Sequence, residues 1–165
     1  MPAVVSDTSV LHYLSVTGQF DCLPKLFGHI FIPTAVWHEI NHVELAVYSL
    51  VTKGIAQGWI KVESPHDQQA VQSLQVSLGA GESEAIVLAG ELQPSLVLMD
   101  DWDGRIIAKQ MKLPVMGTVG ILAYARQQKF IYKLKPLLDE LIATHRFRFD
   151  KNLYFEILRE AGELE

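Results

Sequence analysis

The feature that most constrains this chain is an alternation. Short apolar runs rich in β-branched residues are each followed by a longer stretch with helical spacing. The apolar runs fall at residues 3–6, 29–32, 59–62, 96–99 and 114–116. Helices are expected at residues 8–16 and 20–27, from Pro33 through Ile40, and at 45–57, 68–77, 82–92 and 101–111. Residues 78–81 read as a turn, and three closing helices are expected at 119–128, 134–144 and 152–161. Strand–helix alternation over this length predicts a three-layer α/β/α fold with a central parallel sheet of about five strands. The run at 59–62 reads as an edge strand.

The bulk properties fit one domain over residues 1–165, with residues 133–165 as helices packed on it. Hydrophobic residues make up 49% and charged residues 20%, which excludes a disordered chain. No apolar run reaches the ~18–20 residues that span a bilayer, so no membrane partner is expected. The N-terminal segment lacks a basic region followed by a long apolar stretch. The lone Cys22 excludes an internal disulfide. These features together predict a cytoplasmic protein.

Two of the apolar runs end directly in acids. Val4-Val5-Ser6 runs into Asp7, and Leu96-Val97-Leu98-Met99 runs into Asp100, Asp101 and Asp103. In open parallel sheets the ligand crevice lies beyond the carboxyl ends of the strands. If these two strands are neighbours, their acids meet there. Carboxylates held close repel, and a bound cation or a shared proton relieves them.

Each acid also has a plainer reading. Asp7 serves equally as a helix N-cap, and Ser9 as a cap or as the group orienting a metal-bound water. Glu39 lies mid-helix between apolar neighbours, half-buried or simply solvated. Glu82 and Glu84 open a helix where acids complement the macrodipole. Being two apart, they point to different sides. Glu84 is favoured as the inward acid, with Glu82 in support or as a cap. At least one of Asp100, Asp101 and Asp103 is expected to bind metal, and Arg105 to pair with a carboxylate or a phosphate. The net charge of −5 argues against broad electrostatic capture of nucleic acid, but a cation site itself needs clustered acids. Lys129, Lys133, Lys135, Arg146 and Arg148 either touch a phosphate backbone or form a solvated face.

These residues resemble the PIN-domain family (PilT N-terminus-like nucleases), and more narrowly a toxin-like branch of it. The resemblance rests on Val5-Ser6-Asp7-Thr8-Ser9, Ile32-Pro33-Thr34-Ala35-Val36-Trp37-His38-Glu39-Ile40, Gly81-Glu82-Ser83-Glu84-Ala85-Ile86, Leu98-Met99-Asp100-Asp101 and Gly117-Thr118-Val119-Gly120-Ile121-Leu122. Asn152-Leu153-Tyr154 and Arg159-Glu160-Ala161-Gly162-Glu163 extend it to nearly the whole chain. The family pattern implies Asp7, Glu39 and Glu84 as its first three acids. It implies the fourth among Asp100 and Asp101, with Asp101 as the catalytic assignment and Thr118 in a supporting place. It also implies a Mg²⁺- or Mn²⁺-dependent ribonuclease, acting on RNA as the toxin of a toxin–antitoxin pair, with a small antitoxin as partner and a homodimer as the assembly. Met99-Asp100-Asp101-Trp102-Asp103-Gly104 departs from the Thr-x-Asp-x-Asp-Phe run of the familiar toxins.

Three rivals remain on sequence alone. His38-Glu39-Ile40-Asn41-His42 is a literal H-E-x-x-H, the zinc-hydrolase helix motif. Its third ligand would have to come from elsewhere, with Glu63 and His66 downstream but unmarked. A phosphatase with Asp7 as nucleophile would want an acid where Ser9 stands. A non-catalytic interaction module would keep the fold and some of the acids.

Overall fold

The structure is a computed structural model, and it describes residues 2–43 and 45–164, with the backbone alone at 43 and 45. Five strands are present among these residues: β1 (Ala3–Ser6), β2 (Ile30–Pro33), β3 (Ile60–Glu63), β4 (Ser95–Leu98) and β5 (Val115–Met116). They form one sheet in the order β3-β2-β1-β4-β5 with every pairing parallel. Helices cover the sheet in a three-layer α/β/α arrangement, as the alternation predicts. Two apolar clusters flank it. Val4, Ile30, Ile32, Ile60 and Leu98 belong to one, and Val5 and Val97 to the other. Alternate residues of β1 thus feed opposite faces, as the period of a strand requires. Burial on both faces explains why these runs are almost continuously apolar.

The helices of the first half are α1 (Thr8–Val16), α2 (Cys22–Phe27), α3 (Thr34–Val43), α4 (Leu45–Gln57) and α5 (Gln68–Leu74). The rest are α6 (Ala80–Glu91), α7 (Trp102–Gln110), α8 (Thr118–Gln127), α9 (Lys135–Ala143) and α10 (Lys151–Glu160). Two boundaries differ from expectation in a way that matters. Pro33 closes β2, paired with Glu63, and the following helix begins at Thr34. Ala80 and Gly81, expected in a turn, are the first residues of α6, because the extended Gly79 is its N-cap. Edge strand β3 lies where the sequence places it.

The order of the strands locates the crevice. From the central β1 the chain builds outward through β2 and β3, then crosses to β4 on the other side. The switch point therefore lies between β1 and β4, where ligands bind in such sheets. Their register is fixed by Val5 opposite Val97 and Ser6 opposite Leu98. The Asp7 amide extends the ladder by donating to the Leu98 carbonyl at 3.0 Å. Asp7 and Asp100 are thereby carried to the same edge of the sheet.

The closing helices join the first core through Leu138, Leu141 and Leu158. Glu163 fixes their ends. Its carboxylate accepts from the backbone amides of Leu134 and Lys135 at 2.8–3.0 Å and lies 3.4 Å from Arg126. These are the unpaired donors at the start of α9, where a carboxylate is favoured by the helix dipole. They hold that carboxyl below its usual range against the opposing effect of burial.

Candidate acidic crevice

Asp7 lies buried behind the acids at the carboxyl end of β1, next to Ser9 and within the charge influence of Asp100 and Glu82. It is 1% exposed, and it caps α1 by accepting from the Val10 amide at 3.1 Å. The Ser9 hydroxyl lies 3.1 Å from both carboxylate oxygens and donates to them. Burial pushes the Asp7 carboxyl well above the ordinary range, and the neighbouring charges of Asp100 and Glu82 push the same way. The bonds from Val10 and Ser9 oppose this only in part.

Asp100 is held from one side. It accepts from the Thr118 amide at 2.8 Å and from the Thr118 hydroxyl at 2.6 Å. Thr118 opens α8 behind an extended Gly117. A Cβ on Gly117 would lie 2.8 Å from a carboxylate oxygen of Asp100 and 2.5 Å from a guanidinium nitrogen of Arg105, so a glycine is needed for this approach. Arg105 also donates to the Met99 carbonyl at 3.2 Å. Burial raises the Asp100 carboxyl, opposed by its bonds to Thr118 and the charge of Arg105. Asp101 caps α7 by accepting from the Gly104 amide at 2.8 Å, and it is exposed. Asp103 is exposed in the first turn of α7.

Glu39 and the α6 acids complete the picture. The Glu39 carboxylate accepts from the Thr8 hydroxyl at 2.5 Å and from the Gly81 amide at 3.0 Å. It therefore ties α1, α3 and α6 together beside Asp7. Glu82 faces the same space. Its carboxyl is raised by burial, and the charges of Glu39 and Asp101 add to the rise. Glu84 does not join them. Its carboxylate accepts from the Ala35 amide at 3.1 Å, filling an open donor at the start of α3. Of the α6 pair, Glu82 lines the crevice and Glu84, favoured by the sequence as the inward acid, instead accepts from the start of α3.

The crevice has a volume of about 390 Å³. It is lined by Ser9 and Tyr13 from α1, Glu82 from α6, Asp100 and Asp101 beyond β4, and Arg146, Phe147 and Arg148 from the loop after α9. On sequence these arginines read as either a phosphate contact or a solvated face, and nothing near them in the chain marks their place. Lys129, Lys133 and Lys135 do not line it.

Residues 3–163 match the PIN-domain family. The chain belongs to the PIN-domain family. No curated protein matches it. As a PIN domain it carries a nuclease-like fold, and the acids of the crevice stand at that fold's switch point. No helix among the described residues is long and apolar enough to cross a membrane.

The donor chemistry fits a hard divalent ion, since every acid facing the crevice offers oxygen. Among the described residues no group of three or more His, Cys, Asp or Glu side chains is placed to cage a metal ion. Such a cage suits zinc better than Mg²⁺, which keeps several waters and takes one or two carboxylates. An open, acid-lined crevice in this PIN domain is consistent with that mode. The H-E-x-x-H helix has no comparable arrangement. His38 and His42 are exposed, and the Glu39 carboxylate is engaged by Thr8 and Gly81 rather than placed between them.

Proposed function

We propose that this PIN domain is a metal-dependent ribonuclease that hydrolyses RNA phosphodiester bonds at the β1–β4 crevice. The observation that carries the reading is the state of Asp7: a carboxylate 1% exposed whose charged neighbours, Asp100 and Glu82, are themselves acids. A buried charge so placed needs a counter-ion or a proton. Mg²⁺ or Mn²⁺ is the cofactor in this reading, held by Asp7 and Asp100 with Glu82 and Asp101 facing the same space. When bound, the ion supplies an activated water and stabilises charge on phosphate oxygens.

The chain's own residues set the geometry. Val10 and Ser9 fix the Asp7 carboxylate, and Thr118 fixes that of Asp100. Glu39 fixes where α6 begins, and with it the placement of Glu82. Asp101 caps α7 and stands exposed on the wall of the crevice. Glu84 acts only through the fold in this account.

The deciding experiment incubates purified protein with single-stranded RNA, with and without Mg²⁺ or Mn²⁺. Cleavage dependent on the ion, and lost in Asp7→Asn, supports the reading. A folded protein that cleaves no RNA with either ion leaves the interaction module in its place. The toxin role, with a small antitoxin and a homodimer, extends the same reading through the family resemblance. Co-purification with the product of an adjacent small reading frame tests the first, and sedimentation tests the second.

A further inference from the structure

The loop between α9 and α10 carries Arg146-Phe147-Arg148-Phe149, and its side chains divide by parity. Phe147 and Phe149 are partly buried and pack on the first core, with Phe147 edge-on to Tyr13 at 4.9 Å between ring centres. Arg146 and Arg148 are exposed, and both line the acidic crevice. Neither makes a hydrogen bond or ion pair among the described residues. Two unpaired guanidinium groups beside several acids, in a chain of net charge −5, are positioned against the general field of the molecule.

A second groove of about 540 Å³ continues from the crevice, sharing Asp100, Phe147 and Arg148 with it. Its floor includes Met116 and Val119, and on its rim stands Trp102, 73% exposed at the start of α7. A large aromatic side chain left in water next to free arginines matches the chemistry of an unpaired nucleic-acid strand. Guanidinium groups take phosphate oxygens in a bidentate fork, and an exposed indole offers a stacking face to a base.

We propose that Arg146 and Arg148 grip backbone phosphates of a single-stranded RNA, and that Trp102 stacks on one of its bases in the adjoining groove. This rests on the ribonuclease reading for the identity of the strand. All three are positioning residues: they seat the strand so that a phosphodiester bond lies over Asp7 and Asp100. A paired base has no free face for Trp102, so the strand is read as unpaired rather than by its sequence. The basic residues outside the crevice take no part. Lys135 is already paired with Asp139 at 2.8 Å, and Lys129 and Lys133 line neither groove.

The test is binding of a fluorescein-labelled 12-nucleotide single-stranded RNA, followed by anisotropy in EDTA so that no cleavage intervenes. Arg146→Ala/Arg148→Ala is expected to weaken binding about tenfold or more. It should also flatten the slope of log affinity against log salt by about 1.4, at ~0.7 per phosphate contact. Trp102→Ala is expected to weaken binding of the single strand by about tenfold while leaving the salt slope unchanged. Lys129→Ala/Lys133→Ala should change neither. All three sites are exposed, so melting temperatures should stay level and confirm that the variants are folded. An unchanged salt slope in the double arginine variant overturns the proposal, as does a wild type that binds no RNA. Arginine-dependent binding without cleavage in Mg²⁺ or Mn²⁺ would sustain this proposal and defeat the ribonuclease reading. Ion-dependent cleavage with arginine-independent binding would do the reverse.

Discussion

The Gly81 amide donates to the Glu39 carboxylate at 3.0 Å, across 42 positions of sequence, and this bond sets where α6 meets α3. A Cβ on Gly81 would lie 2.7 and 3.0 Å from the two carboxylate oxygens. Gly81→Ala should therefore drive Glu39 away from both the amide and Thr8. Alanine's helix propensity, worth up to ~1 kcal/mol over glycine, offsets part of the loss. The expected result is a net destabilisation of about 1 kcal/mol in denaturant melts, with RNA cleavage reduced at least tenfold because Glu82 shifts with its helix.

Glu82 and Glu84 separate site from scaffold. Glu82→Gln should abolish most ion-dependent cleavage and leave the melting temperature level or raised, since it removes an acid from a repulsive group. Glu84→Gln loses the charged partner of the Ala35 amide. It should cost about 0.5–1 kcal/mol of stability and leave cleavage within about twofold. Paired melting and cleavage assays on the two variants check this, and an exchange of the two patterns would restore Glu84 to the site.

This pair also marks how far the sequence can be read. Asp7 and an acid group after β4 were legible because each follows a continuous apolar run, but the choice among Asp100, Asp101 and Asp103 was not; strand order then had only to make β1 and β4 neighbours, which it does. Glu39 was legible as a half-buried acid among apolar neighbours. The choice between Glu82 and Glu84 was not legible, because both lie in one helical turn and no local pattern tells which side meets the crevice. It is settled by partners remote in the chain: Ala35 offers a free amide to Glu84, and Gly81 offers one to Glu39. The seat of Arg146 and Arg148 was hidden for the same reason. The packing of Phe147 on Tyr13, with Phe149 against the same core, brings that loop to the site.

Thr118 positions Asp100 through its amide and hydroxyl. Thr118→Val keeps the volume and the amide but removes the 2.6 Å hydroxyl bond. Partners of this kind support metal affinity by about 10–100-fold. The Mg²⁺ concentration for half-maximal cleavage should rise by about that factor, with the rate at saturating ion falling less. A titration of cleavage against Mg²⁺ reads both quantities.

The buried acid makes stability depend on pH in a stated direction. The Asp7 carboxyl is raised well above the ordinary aspartate value of 3.8, first by burial. A group raised in the folded state holds its proton more tightly there than in the unfolded chain. Its contribution to stability is thus fully present below 3.8 and is lost as pH climbs through the folded value. In EDTA at neutral pH, Asp7→Asn should be more stable than wild type. The gap between them should close as pH falls, and equally when Mg²⁺ is added to the wild type. Asp139 and Glu163, both lowered, contribute with the opposite sign. They are common to both proteins and cancel in the difference, which thermal melts from pH 4 to 8 (roughly the span over which such groups titrate) would record.

Metal-dependent hydrolysis at Asp7 stands or falls on cleavage of single-stranded RNA by wild type and by Asp7→Asn, each with Mg²⁺ or Mn²⁺ and with EDTA. The wild type should cleave with either ion and not in EDTA, and Asp7→Asn should lose about a thousandfold or more (on the order of the ~4 kcal/mol that a main charge-stabilising group supplies) while it stays folded. Full ion-dependent activity in folded Asp7→Asn, or equal cleavage in EDTA, would contradict metal-dependent hydrolysis at Asp7.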